Sequence, residues 1–378
     1  MQQAQVFDVL ARHRDAEVAP TGLQDFTLGP GQPADASIVT DDADWSLYSL
    51  DLEGEKAVFV HLPPETDLSA AAFVHTLQLR AARKVLTLPL SALPDLSLAI
   101  PAPRKIVFIF SMGRCGTTLA SHILRRVPGV LSLSEPDPFI TLALARFTLP
   151  QAQQQALIAA VTRFCFRPPA GRVRDTLAIQ FHSQALFQAE LFHRAFPQVT
   201  CIFMYRDAAS WGNSFTRFFQ MVGVPLELDA ASLGFSWMMI SASAPLDHLA
   251  LTADLAAPSF VHVEVLAPAW LLYINEYQRL VGLGLPFMAL RYNELNADRL
   301  ASVTRLLAHC DLRLDDVSAA MTAFDQDSQK GTQISRDHQV ADFTSADRDR
   351  LTAILAAHAG KPAADLILPD APSSLPRS

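Results

Sequence analysis

One stretch limits the folds open to this chain of 378 residues more than any other: IVFIF-SMGRCGTT-LASHILRRV, running from Ile106 to Val127. Five consecutive apolar residues are strand-length and lack alternation, as in a strand buried on both faces. A loop bearing Gly113 and Gly116 follows, and then Leu119, Ile123, Leu124 and Val127 recur at helical spacing. A buried strand turning through glycines into a helix aims backbone N–H groups around Gly113, Cys115, Gly116 and Thr117, with the positive helix end, at one anion. Laid on the nucleotide loop G-x-x-x-x-G-K-[ST], the segment Ser111 to Thr118 has Ser for the first glycine and Thr117 where the lysine belongs. That lysine reaches the β and γ phosphates of a nucleoside triphosphate, so its loss favours a shorter anionic group. Arg114, inside the loop, supplies a cation with a bidentate fork.

Three further apolar runs, TLAIQF (176–181), VTCIFMY (199–205) and FMALRY (287–292), have the same buried-strand character and are separated by helical patterns. The expected fold is therefore α/β: a P-loop-type parallel sheet flanked by helices, with ligands at the carboxyl ends of its strands. The prolines of PAPRK at 101–105 mark a boundary, which gives an N-terminal accessory region (1–102), a P-loop domain (103–340) and a C-terminal helix and loose tail (341–378). Within the accessory region, KAVFVHL reads as a strand and Ala70 to Leu86 as helix-like, with no chemical motif.

Thirty Lys and Arg against 38 Asp and Glu give a net charge of −8, which disfavours nucleic acid as a partner. Four scattered cysteines make neither a disulfide framework nor a zinc set, and the charged start lacks the order of a signal peptide, so the expected location is cytoplasmic. The longest apolar run, Leu280 to Leu290, is too short to span a bilayer.

A second anion anchor is VTCIFMYRDAASWGNSFTRFF, where Arg206 closes a strand and Ser214 follows eight positions later. Together, GRCGTT after one strand and YRD with its later Ser resemble the sulfotransferases that use 3′-phosphoadenosine 5′-phosphosulfate (PAPS). The loop is most similar to those of tyrosylprotein sulfotransferases and bacterial relatives. The resemblance implies that Arg114, Cys115, Gly116, Thr117 and Thr118 cradle the 5′-phosphosulfate, that Arg206 and Ser214 grip the 3′-phosphate, and that Lys330, in Gln329-Lys330-Gly331, adds a weaker contact there. A third likeness is ALRYNEL (289–295), similar to an Arg-Tyr-Glu-Asp-Leu strand end of that family.

Sulfuryl transfer to a hydroxyl needs positioning, cations on the developing charge and a base, with no metal required. Two bases are open. Glu135, in LSLSEPDPF, follows the second strand of the βαβ unit, where tyrosylprotein sulfotransferases place their Glu; His182, in AIQFHSQ, ends another strand, as the catalytic His does in cytosolic members. The expected function is thus a PAPS-dependent sulfotransferase, with Glu135 as base, Arg114 as electrostatic partner and His182 beside the acceptor, a small-molecule, saccharide, lipid or peptide hydroxyl. Two other readings stay open: a P-loop small-molecule kinase, and a catalytically inactive nucleotide-binding relative. Trp211, Phe215, Phe218 and Phe219 read as a helix face packed on the core rather than an acceptor cavity.

Overall fold

Six strands precede the one that runs into the phosphate loop in the computed structural model, which describes residues 3–14, 20–167, 173–241, 257, 259–326, 340–357 and 366–370. They are β1 (Gln3–Arg12), β2 (Phe26–Leu28), β3 (Gln32–Asp35), β4 (Trp45–Asp51), β5 (Lys56–His61) and β6 (Lys84–Pro89), an antiparallel sheet ordered β2-β1-β6-β5-β4 with β3 also on β1. The accessory region is thus a folded sheet, and its first strand lies in the charged start of the chain. The helix expected over 70–86 is confined to Val74–Ala81. Beyond it Val85, Leu86, Thr87 and Leu88 are all buried in β6, between β1 and β5, where β-branched residues suit a pleated ladder covered on both faces.

The second sheet is built from β7 (Lys105–Ser111), β8 (Val130–Ser134), β9 (Thr176–Gln180) and β10 (Thr200–Tyr205). A short antiparallel β11–β12 pair (Glu227–Leu228, Phe260–Val261) lies apart, and β13 (Phe287–Arg291) completes the sheet in the order β13-β10-β7-β9-β8, every pair parallel. These are the expected strands. Because Ser111 pairs with Met204, Gln180 with Ile109 and Ser134, and Tyr205 with Arg291, the carboxyl ends come out nearly flush along one edge. The chain leaves β7 toward β8 and leaves β10 toward β13, so the two neighbouring loops diverge and open a crevice between them.

Beneath that edge Phe108, Phe110, Phe139, Phe181 and Phe192 form one aromatic cluster, with Phe181 and Phe192 centroids 4.7 Å apart and Phe139 and Phe181 4.8 Å apart. A fully buried Phe stabilises by roughly 1.5–3 kcal/mol, and Phe181 immediately precedes His182. The core anchors the site's backbone in this way. Hydrophobic contacts run without a break from the antiparallel to the parallel sheet, Phe59 of β5 meeting Phe164 edge-on at 5.0 Å.

Of the tail expected to be loose, residues 366–370 are tied down. Leu368 N donates to Tyr205 Oη at 2.9 Å, Tyr277 Oη donates to the Pro369 carbonyl at 2.6 Å, and Asp370 accepts from Ala289 N and pairs with Arg305. Leu280 to Leu290 spans a helix end, a turn and β13, and no helix among the described residues is long and apolar enough to cross a membrane.

Candidate active site

Five side chains or loops stand along the flush edge in the order the strands dictate: Tyr292 after β13, Arg206 after β10, the glycine loop after β7, His182 after β9 and Glu135 after β8. All line one cavity of about 1280 Å³.

The loop takes the anion-cradling form. Gly113 and Gly116 have φ of +74° and +80°, and Gly116 is the N-cap of the helix Thr117–Arg125. A Cβ on Gly116 would stand 2.5 Å from the Tyr292 ring, so only glycine fits. Trp211 Nε1 donates to the carbonyls of Met112 and Gly113, both at 3.1 Å, which turns loop carbonyls inward. Thr117 and Thr118 open the helix at the cavity wall. Cys115 contributes only its backbone. Its Sγ is fully buried 3.1 Å from the Met204 carbonyl, and burial pushes the thiol up to about 12, so it is no nucleophile.

Two guanidinium groups meet over the loop. Arg114 Nε donates to Ser214 Oγ at 3.4 Å, its guanidinium lies 5.6 Å from the Phe218 ring, and Arg206 Nη1 approaches the Arg114 carbonyl at 3.5 Å. Arg206 sits 4.7 Å over the ring of Tyr292, and its Nε is buried with no hydrogen-bond partner. Burial most of all disfavours the charged form of Arg114; the carboxylate of Glu135 opposes this, and the charge of Arg206 adds to it more weakly. Two neighbouring cations and an orphaned donor make a site short of negative charge. Ser214 is placed by the helix Ala208–Met221, whose N-cap Asp207 accepts from Ser210 N at 2.8 Å.

The rival bases are neighbours. Since β8 and β9 pair, Glu135 and His182 end adjacent strands, and His182 Nε2 lies 3.3 Å from Glu135 Oε2. Gln180 fixes the carboxylate: its Nε2 donates to Glu135 Oε1 at 3.1 Å, its carbonyl accepts from Glu135 N at 2.7 Å, and its Oε1 accepts from Ser134 Oγ at 2.5 Å. Glu135 and Arg114 are two of four described non-glycine residues with positive φ, at 51° and 52°, a conformation that costs on the order of 1–3 kcal/mol each and is concentrated at working sites.

Arg114, Gly116, Thr117, Thr118, Glu135, His182, Arg206 and Ser214 therefore share one cavity. Lys330 lies outside the described residues. Trp211 and Phe219 are core, as expected for that helix face, but Phe215 and Phe218 line the cavity. Neither Gln180, at the polar end of the TLAIQF strand, nor Tyr292, within the ALRYNEL likeness, was given a role from the sequence.

No protein-family model matches the chain, and no curated protein does. Among solved structures it is similar to a sulfotransferase from Alicyclobacillus acidocaldarius, at 16% identity over 68% of this chain and 93% of that one, with a TM-score of 0.40. It is also similar to sulfotransferase STF9 from Mycobacterium avium (12% identity, 70% and 78% covered, TM-score 0.42) and to mouse sulfotransferase SULT7A1 complexed with PAP (12%, 70% and 88%, TM-score 0.38). All three are described as sulfotransferases, the family that the loop and strand-end motifs resemble.

Proposed function

We propose that this protein is a sulfotransferase that moves a sulfuryl group from PAPS to a hydroxyl acceptor. The observation that carries the reading is the convergence of Arg114, Arg206 and Ser214 over a glycine loop on one side of β7, with the Glu135–His182 pair on the other. The donor fits the residues present: the loop N–H groups and Arg114 meet the phosphosulfate, and Arg206, with its unpaired Nε, and Ser214 meet the 3′-phosphate. Bound there, the donor supplies a sulfuryl group whose S–O bond to phosphate breaks as the bond to the acceptor oxygen forms. Glu135, held by Gln180, takes the acceptor's proton, and His182 at 3.3 Å orients the acceptor or shares that proton. Arg114 offsets the charge that gathers on the leaving phosphate.

The volume exceeds the roughly 300–1000 Å³ of a single-ligand pocket, leaving room for an acceptor beside the donor. Ile140, Leu144, Phe235, Met238 and Met239 give the cavity an apolar stretch of wall, which favours an alcohol or phenol on an apolar framework over a saccharide. A loop without lysine disfavours the kinase reading, and the oriented Glu135 disfavours an inactive relative. Free cysteines accord with a cytoplasmic setting. The test is a thermal-shift titration with adenosine 3′,5′-bisphosphate (PAP) against ATP, with and without magnesium. A magnesium-independent rise with PAP is expected; a rise only with ATP and magnesium overturns the reading in favour of a kinase.

A further inference from the structure

The antiparallel sheet sends a titratable side chain into the cavity. His75, on the helix Val74–Ala81, lines it together with Phe73 and Pro20, although all three come from the region that carries no chemical motif. The ring has a neighbour on each of two sides, and its buried Nδ1 makes no hydrogen bond among the described residues. Its Nδ1 lies 3.5 Å from Asp137 Oδ1, and its plane stacks on Phe73 at 6.0 Å with 15° between the planes. Asp137 is itself fixed, because Oδ2 accepts from Thr21 N at 2.6 Å while Thr21 Oγ1 donates to the Tyr48 carbonyl at 3.1 Å. Asp137 is also two residues beyond Glu135, so one carboxylate ties the antiparallel sheet to the loop that carries the base.

Although only 6% exposed, His75 lines the same cavity as Glu135 and His182. Burial, the leading influence, draws its pKa down to about 4, against the pull of Asp137 and the Glu135 backbone, which leaves a neutral imidazole at neutral pH. A neutral ring on an apolar wall hydrogen-bonds an uncharged oxygen and offers no cation to a carboxylate. We infer that His75 is an acceptor-contacting residue, placed beside Asp137 and against Phe73 so that its ring hydrogen-bonds the acceptor, and that the N-terminal region thereby sets which acceptor is used. This inference rests on the sulfuryl-transfer reading.

The experiment uses the full chain with 2-naphthol as acceptor and PAPS as donor, comparing His75→Phe, His75→Gln and Asp137→Asn with the unaltered protein. His75→Phe should raise KM for 2-naphthol at least tenfold while KM for PAPS and the Kd of PAP stay within twofold. His75→Gln, which keeps a hydrogen-bonding group, should recover part of the loss, and Asp137→Asn should fall between them. An unchanged acceptor KM in His75→Phe overturns the inference, as does a parallel rise in both KM values, which marks a structural role alone. Saturable binding of 2-naphthol to the PAP complex, read by its fluorescence, is measured alongside; its absence in the unaltered protein also overturns the inference. Failure of the unaltered protein to bind PAP is a different result and removes the sulfotransferase reading itself.

Discussion

Gly116→Ala tests whether the loop's shape is what binds the donor. Alanine at φ +80° is left-handed, which costs about 1–2 kcal/mol. Its Cβ would also stand 2.5 Å from Cδ2 and Cε2 of Tyr292, against about 3.5–4.0 Å for ordinary carbon contact, so the ring must retreat by about 1 Å. That ring lies under Arg206 at 4.7 Å, and disturbing a cation–π contact of this kind removes about 0.5–2 kcal/mol. The total is about 1.5–4 kcal/mol. With an unfolding entropy near 2.1 cal/mol/K per residue, a chain of 378 residues should lose about 2–5 °C in Tm. Calorimetric titration should show PAP binding weakened on the order of ten- to a hundredfold, the worth of one charge-assisted hydrogen bond from a displaced Arg206. Gly223→Ala is the control: its φ of +78° carries the same backbone cost, but nothing stands within 4 Å of the new Cβ, so Tm should fall less and PAP affinity should hold. If Gly116→Ala binds PAP as tightly as the unaltered protein, the loop is not the donor cradle.

Arg206→Ala should weaken PAP binding by roughly 2–5 kcal/mol in the same titration, and Arg206→Lys should recover only part, because an ammonium cannot replace a stacked fork. Glu135→Gln should leave the PAP Kd unchanged and cut kcat on the order of 10²–10⁴-fold; a smaller loss than that of His182→Gln would transfer the base role to His182. The low folded-state pKa of His75, about 4 against 6.5, means that between these values the unfolded chain binds a proton that the folded chain refuses. Stability is thus full above about pH 6.5 and falls as pH drops through that window. Urea unfolding at pH 7 and pH 5 should show a smaller fall for His75→Gln than for the unaltered protein, with His122, His193 and His262, also drawn down by burial, common to both.

The parallel sheet was legible because its strands are uniformly apolar and end in informative residues, Arg206 above all. Strand order was not legible. Whether Glu135 or His182 stands nearest the loop depends on β9 inserting between β7 and β8, a pairing that no local pattern encodes, and the same insertion turns two rivals into one pair 3.3 Å apart. The antiparallel sheet escaped notice for another reason. β1 reads QAQVFDVLAR, with polar and charged residues distributed along a strand that is largely open on one side, and β6 is short enough that its apolar run merges with the helix before it. His75 was invisible in turn, since a lone histidine on a helix has no partner until Asp137, 62 positions later (137 − 75), is folded against it.

The ties made by residues 366–370 set an order of events on the ribosome. Tyr205, at the end of the strand that presents Arg206, receives its partner Leu368 only once the chain has grown 163 positions further (368 − 205). Asp370 follows Arg114 by 256 positions (370 − 114), which at the usual pace of translation is roughly ten to fifty seconds. Until residue 291 is made, the buried strands β7, β9 and β10 lack β13 at their edge, and until residue 370 is made they lack the segment that fastens it. A nascent chain with its greasiest segments waiting for their last neighbour is a natural client for a chaperone, and its yield should respond more to the speed of elongation than to the stability of the finished protein.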